Sequence, residues 1–283
     1  MDPIRRFAKP PLRRPRALLA FEGWNDASDA ASGVAAYLLG QHDVTEPFAS
    51  IEPEEFYDFQ ARRPIVNIDE GGTRSLTWPK THLYAIRLPA DQRDLVVVLG
   101  EEPSYRWKTY SRLITQLLTE SDVEEAVLLG AFIGRVPHTR PVPIIGVATD
   151  PTLVQRHGLM TSAYEGPTGI VGVMQEACRE VGLPAMSLWG AVPHYLAANP
   201  NPRAMLALLT QAAEILRLAV DATELETVAK EFNERVDAAV AASDEFAEYI
   251  LNLEENEAAE TTGLDPSRSV ELVTEIEDFL RDQ

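Results

Sequence analysis

Hydrophobic residues along this chain fall in short runs set between stretches of helical periodicity. Residues 17–21, 83–88, 95–99, 126–129, 144–148 and 186–189 are rich in Leu, Val, Ile and Ala. Several of these runs lack the apolar–polar alternation of a half-exposed strand, so they predict strands covered on both faces. Helical patterns follow at 27–39, 104–119, 167–181 and 202–218. Strand and helix in alternation predict an α/β fold, a largely parallel sheet flanked by helices. Residues 48–80, with Phe56, Tyr57, Phe59 and the turn Asp69-Glu70-Gly71-Gly72, interrupt that alternation and read as an insertion with short strands of its own.

Beyond Asn201-Pro202, a good N-cap followed by proline at the first helical position, the pattern is helical throughout. Thr223 and Glu226 have the spacing of a capping box. Leu225, Val228, Phe232, Val236, Ala239, Ser243, Phe246, Ile250 and Leu253 then recur at steps of three or four, which predicts one long helix with an apolar stripe and acidic outer faces. Such a stripe either packs on its own domain or faces a partner. Residues 254–262 read as a solvated linker, and Asp265-Pro266 opens a last amphipathic helix through Val270, Val273, Ile276 and Leu280. The expected organisation is an α/β core over 1–200 and a C-terminal helical region, an extension of that core, over 201–283.

Composition narrows the partners. The 283 residues are 45% hydrophobic and 24% charged, an ordinary globular balance. No apolar run approaches the roughly 20 residues that cross a bilayer, so no membrane span is expected. A net charge of -19 opposes nucleic acid and anionic lipid and favours neutral or basic surfaces. The charge is uneven: Arg5, Arg6, Lys9, Arg13, Arg14 and Arg16 face only Asp2 at one end, while residues 221–260 are acidic with only Lys230 and Arg235 against them. The start has no apolar stretch with a cleavage site, which speaks against secretion. A single cysteine, Cys178, forms no internal disulfide and suits the cytoplasm. It lies in a helical run and reads as a small core residue rather than a nucleophile.

Candidate chemistry lies on the loops that leave the carboxyl ends of parallel strands, because these gather along one edge where such folds bind ligands. They bring forward Asn25, Asp26, Glu101, Arg135, His138, Arg140, Glu165, Thr168, Gly169 and His194 as ligand-binding candidates. Gly166-Pro167-Thr168-Gly169-Ile170-Val171-Gly172 precedes a helix and reads either as a capping turn or as an anion site on free helical N–H groups. With Arg135 and Arg140 beside it, that site would take an anion or a nucleoside-like molecule. It matches neither a Walker loop nor the dinucleotide fingerprint. A positive φ at Gly169 would make that glycine hard to replace. The histidines have no zinc-site spacing, no Gly-x-Ser-x-Gly elbow occurs, and the adjacent Glu101 and Glu102 give no case for a glycosidase dyad. No catalytic residue, metal site or cofactor is assigned on these grounds.

Several stretches together resemble the bacterial branch of the proteasome assembly chaperone family: Phe21-Glu22-Gly23-Trp24-Asn25-Asp26-Ala27, Gly130-Ala131-Phe132, His138-Thr139-Arg140-Pro141, Tyr164-Glu165-Gly166-Pro167-Thr168-Gly169 and Trp189-Gly190-Ala191-Val192-Pro193-His194-Tyr195. The resemblance implies an α/β core shaped like that of nucleoside phosphorylases, assembled as a homo-oligomer, with a trimer favoured. It also implies proteasome subunits as partners. Archaeal relatives dock through a C-terminal hydrophobic-tyrosine-any tail, whereas this chain ends Leu280-Arg281-Asp282-Gln283. The expectation is a non-enzymatic, homo-oligomeric binding or assembly protein. The alternative is an enzyme or sensor holding a nucleoside-like or phosphate-bearing molecule in the strand-end cleft.

Overall fold

The computed structural model describes residues 3–256 apart from Glu70, Asp150, Ala163 and Asn199. Its centre is four parallel strands, β2 (Arg16–Glu22), β7 (Leu95–Glu101), β8 (Ala126–Gly134) and β11 (Ala185–Pro193), ordered β7-β2-β8-β11. Their side chains divide between two cores with the period of two that a strand imposes. Ala17, Leu19 and Phe21, with Val96, Val98 and Leu128, enter one core; Leu18 and Ala20, with Val97, Val127 and Leu129, enter the other. Because both faces are buried, the sequence runs show no alternation.

The first core is closed by α2 (Trp107–Glu120) and α4 (Ile170–Glu180), the second by α1 (Ala30–Gln41) and α5 (Pro202–Leu216). The cap of α5 is the expected one, Asn201 Oδ1 accepting from Ala204 N at 3.0 Å. The outer strands turn the sheet mixed. β1 (Ile4–Arg6), β3 (Ala49–Ile51) and β6 (Thr81–Ile86) extend it antiparallel beyond β7. On the other side β9 (Ile144–Ala148) runs antiparallel to β11 and carries β10 (Met160–Thr161), after a short α3 (Pro151–Arg156). The insertion keeps only β4 (Ile65–Ile68) and β5 (Arg74–Thr77) apart from the main sheet, as a hairpin whose turn is held by Asp69 Oδ1 accepting from Thr73 N.

The C-terminal pattern folds differently from the single helix expected. It divides into α6 (Thr223–Ala241) and α7 (Asp244–Asn256), with Val240 O accepting from Ser243 N at the join. The break lets the stripe close on itself: Phe232 and Val236 of α6 meet Phe246, Ile250 and Leu253 of α7 around Tyr195 and Leu196. Apart from the exposed Val228, the apolar residues of the stripe are therefore covered by its own fold. Nor does Thr223 form a capping box, because it is the first helical residue, and Asp221 Oδ1 accepts from its N–H instead. Residues 254–256 belong to α7; the rest of the expected linker and the helix from Asp265 lie outside the described residues.

Candidate functional site

The carboxyl ends of β2, β7, β8 and β11 place their loops on one edge, and the ten candidate residues fall there into two groups. The first forms at the start of α4. Glu102, just past β7, directs one carboxylate oxygen at two donors: Asn25 Nδ2 at 2.7 Å and the first helical N–H, of Ile170, at 2.8 Å. A carboxylate at that position is favoured by the helix dipole. The place that the glycine run offered to an anion is thus filled by the chain's own Glu102.

Gly169 is held to glycine by this arrangement, and not by its backbone. Its φ of -96 suits any residue. A Cβ there would instead lie 2.6 Å from Asn25 Cγ and collide with both terminal atoms of that amide. Thr168 covers Gly172 in the same way, its methyl 3.4 Å from where a Cβ would stand. Glu165 and Thr168 are exposed in the loop. Asp26, beside Asn25, points its Oδ1 at the N–H groups of Ala31 (2.7 Å) and Ser32 (3.1 Å) in the first turn of α1. Burial raises its carboxyl above the usual range, against those hydrogen bonds.

Carboxylates crowd this edge. Glu22 and Glu101 are register partners on neighbouring parallel strands. Glu22 is raised first by desolvation, then by Glu101 and Asp26, with Arg62 opposing. Arg62, from the insertion, pairs with Glu101 at 3.1 Å. Adjacent in sequence, Glu101 and Glu102 serve different partners.

The second group lies against α6 and α7. His138 is 2% exposed; its Nδ1 meets Tyr195 Oη at 2.9 Å and its Nε2 meets Asp237 Oδ1 at 3.0 Å. Its backbone N–H also donates to Tyr195 Oη at 2.7 Å. Neutral imidazole fits if Nε2 donates to Asp237 and Nδ1 accepts from the phenol. Burial lowers its pKa, with Asp237 opposing. His194 Nε2 joins Tyr249 Oη at 2.7 Å, and its pKa is lowered by burial and by Arg135. Arg140 offers its carbonyl to Arg203 at 3.0 Å. No hydrogen bond or ion pair links Arg135 or Arg140 to the Thr168 loop among the described residues.

Sequence reasoning missed Glu102 as a cap, Arg62, and the side chains that make the edge sticky. Trp24 is 65% exposed, Tyr164 67%, Ile133 58% and Tyr105 51%. Each stands on a segment that ends a central strand or precedes α4, so apolar surface is spread among the carboxylates. An aromatic between Gly23 and Asn25 was the available signal. The hairpin adds more: Val66 lies opposite Leu76 and Ile68 opposite Arg74, so Val66, Ile68 and Leu76 share an exposed face. Among the described residues no cluster of His, Cys, Asp or Glu could hold a metal ion, and no helix is long and apolar enough to cross a membrane.

These features define a class: an open α/β sheet covered on both faces, whose loop edge sets exposed aromatic and aliphatic side chains among carboxylates. The chain belongs to the PAC2 family, whose model matches residues 20–240. It is 46% identical to a PAC2 family protein from Streptomyces avermitilis MA, covering 83% of this chain and 99% of that one with a TM-score of 0.78. It is 39% identical to Rv2125, a proteasome-assembly chaperone homologue of Mycobacterium tuberculosis, with the same coverage and a TM-score of 0.76. PbaB, an archaeal proteasome activator from Pyrococcus furiosus, shares the fold at 19% identity and a TM-score of 0.66, covering 83% of this chain and 97% of that one. No curated protein matches the chain significantly.

Proposed function

We propose that this protein is a non-enzymatic, homo-oligomeric assembly factor of the cytoplasm, acting on proteasome subunits as its named relatives suggest. The observation that carries the reading is the loop edge, where Trp24, Tyr105, Ile133 and Tyr164 stand exposed while Asn25, His138 and His194 are engaged by Glu102, Tyr195 and Tyr249. Exposed apolar groups set among charges suit contact with a protein surface. The carboxylates Glu22, Glu101 and Glu165 favour a basic partner. Chemistry finds little support: burial pushes the Cys178 thiol up to about 12, far from a reactive thiolate, and His138 and His194 are tied to tyrosines.

Self-association was expected through the long helix, but that stripe is internal. The exposed face of the β4–β5 hairpin is the better candidate. Sedimentation velocity tests it: wild type should run as a multiple of the 31.3 kDa chain, and Val66→Lys/Leu76→Lys as a single chain with its melting temperature kept. A wild type that sediments at 31.3 kDa at micromolar concentration refutes self-association.

A second reading, a small-molecule sensor, rests on two atoms. Asn25 Oδ1 and Asp26 Oδ2 are buried without a hydrogen-bond partner. Acceptors left in that state call for a donor. A ligand there would bring N–H or O–H groups, in contrast to the anion that the glycine run suggested.

A further inference from the structure

The opposite edge of the sheet, where the parallel strands begin, has the reverse electrostatic character. A cleft of about 250 Å³ opens there between the starts of β2, β8 and β11, the end of α5 and the end of α3. Arg16, Arg93, Arg156 and Arg217 line it with His157, and Glu125 is the one carboxylate lining it among the described residues. In a chain of net charge -19 a concentration of guanidinium groups requires an explanation.

Internal pairing accounts for half of them. Arg93 pairs with Glu124 and, at 3.0 Å, with Glu125; Glu124 is shared with Arg14 at 3.1 Å. Arg16, whose side chain is 6% exposed, donates to Leu216 O and pairs through its Nε with Glu125. Its pKa is lowered by burial and by the neighbouring Arg93 and Arg217, despite the pull of Glu125. Arg156 and Arg217 are exposed and have no carboxylate partner among the described residues. Two free guanidinium groups at the mouth, above the buried and internally paired Arg16, give the cleft surplus positive charge and directed N–H groups.

We propose that this amino-edge cleft binds a small phosphorylated anion, gripped by Arg156 and Arg217 at the mouth, with the buried Arg16 adding positive charge at its base. Planar guanidinium groups match phosphoryl oxygens in paired hydrogen bonds, and the multiple charge of a phosphoryl group uses several of them at once. The volume is below the roughly 300–1,000 Å³ of drug-sized pockets, so the ligand is of the size of pyrophosphate or a sugar phosphate. The site is separate from the loop edge and does not depend on the function proposed for it.

Isothermal titration of the full chain with pyrophosphate at low salt tests this, with citrate as a carboxylate of comparable charge. Arg217 has a left-handed backbone, φ 49, so Arg217→Asn removes the charge with a residue that tolerates that conformation. Arg156→Ala does so on an ordinary helical residue and keeps the test open should the first variant fold poorly. The expected result is saturable pyrophosphate binding, weakened about tenfold or more by each substitution and much weaker for citrate. Absence of saturable binding, equal affinity in wild type and both folded variants, or equal affinity for citrate overturns the proposal.

Discussion

Glu102 holds together three parts of the chain that are far apart in sequence: the loop after β2, the end of β7 and the start of α4. Replacing it with alanine leaves the buried Asn25 amide and the Ile170 N–H without their acceptor. The expected cost is about 1–3 kcal/mol, read as a lower denaturation midpoint. Gly169→Ala should cost a comparable ~1–3 kcal/mol because its methyl meets the Asn25 side chain. Asn25→Ala in the same chain should recover part of that loss, a coupling that simple backbone strain would not produce. The sequence marked Gly169 as a turn glycine, but the reason it must be glycine comes from a distant loop, which local patterns do not encode. Glu102 was similarly visible as a strand-end acid while its partners were not.

At the scale of elements, the apolar stripe from Leu225 to Leu253 was fully legible and the turn inside it was not. Ser243 falls on the stripe's own rhythm, so periodicity runs unbroken through a join where the helix axis changes. The packing of α6 and α7 onto the β11 end then rests on His138, Tyr195 and Tyr249. Tyr195→Phe removes the hydroxyl that meets the His138 backbone N–H and Nδ1 and should cost roughly 1–3 kcal/mol in denaturant unfolding. The histidines also set a pH dependence. His82, His138 and His194 all have pKa values lowered in the fold, chiefly by burial. The unfolded chain therefore binds protons that the folded one resists, so stability is complete above the ordinary histidine value of about 6.5 and falls as pH drops below it. Glu22 and Asp26, raised in the fold, act the other way, but closer to the carboxylate range. Melting temperatures should decline from pH 7.5 to 5.5; a flat or rising series contradicts this assignment.

Across the whole molecule, the sheet separates two chemistries: a carboxylate and aromatic rim at one edge and an arginine-lined cleft at the other. The α/β class and the order of strands and helices were readable because buried parallel strands leave continuous apolar runs. The basic start of the chain was readable too, although its use was not: Arg13, Arg14 and Arg16 pair with Asp94, Glu124 and Glu125 within the fold. Exposure of Trp24 and Tyr164 depends on how loops stack at the edge, so composition gave no sign of it. The central claim is that this rim works by contact with proteasome subunits. The most direct test follows proteasome formation from purified α and β subunits of the same organism, with wild type or with Trp24→Asp/Tyr164→Asp added. The account predicts that wild type changes the rate or yield of assembled particles and that the double variant, equally stable, does not. Assembly that is unaffected by wild type, or affected equally by the variant, contradicts it.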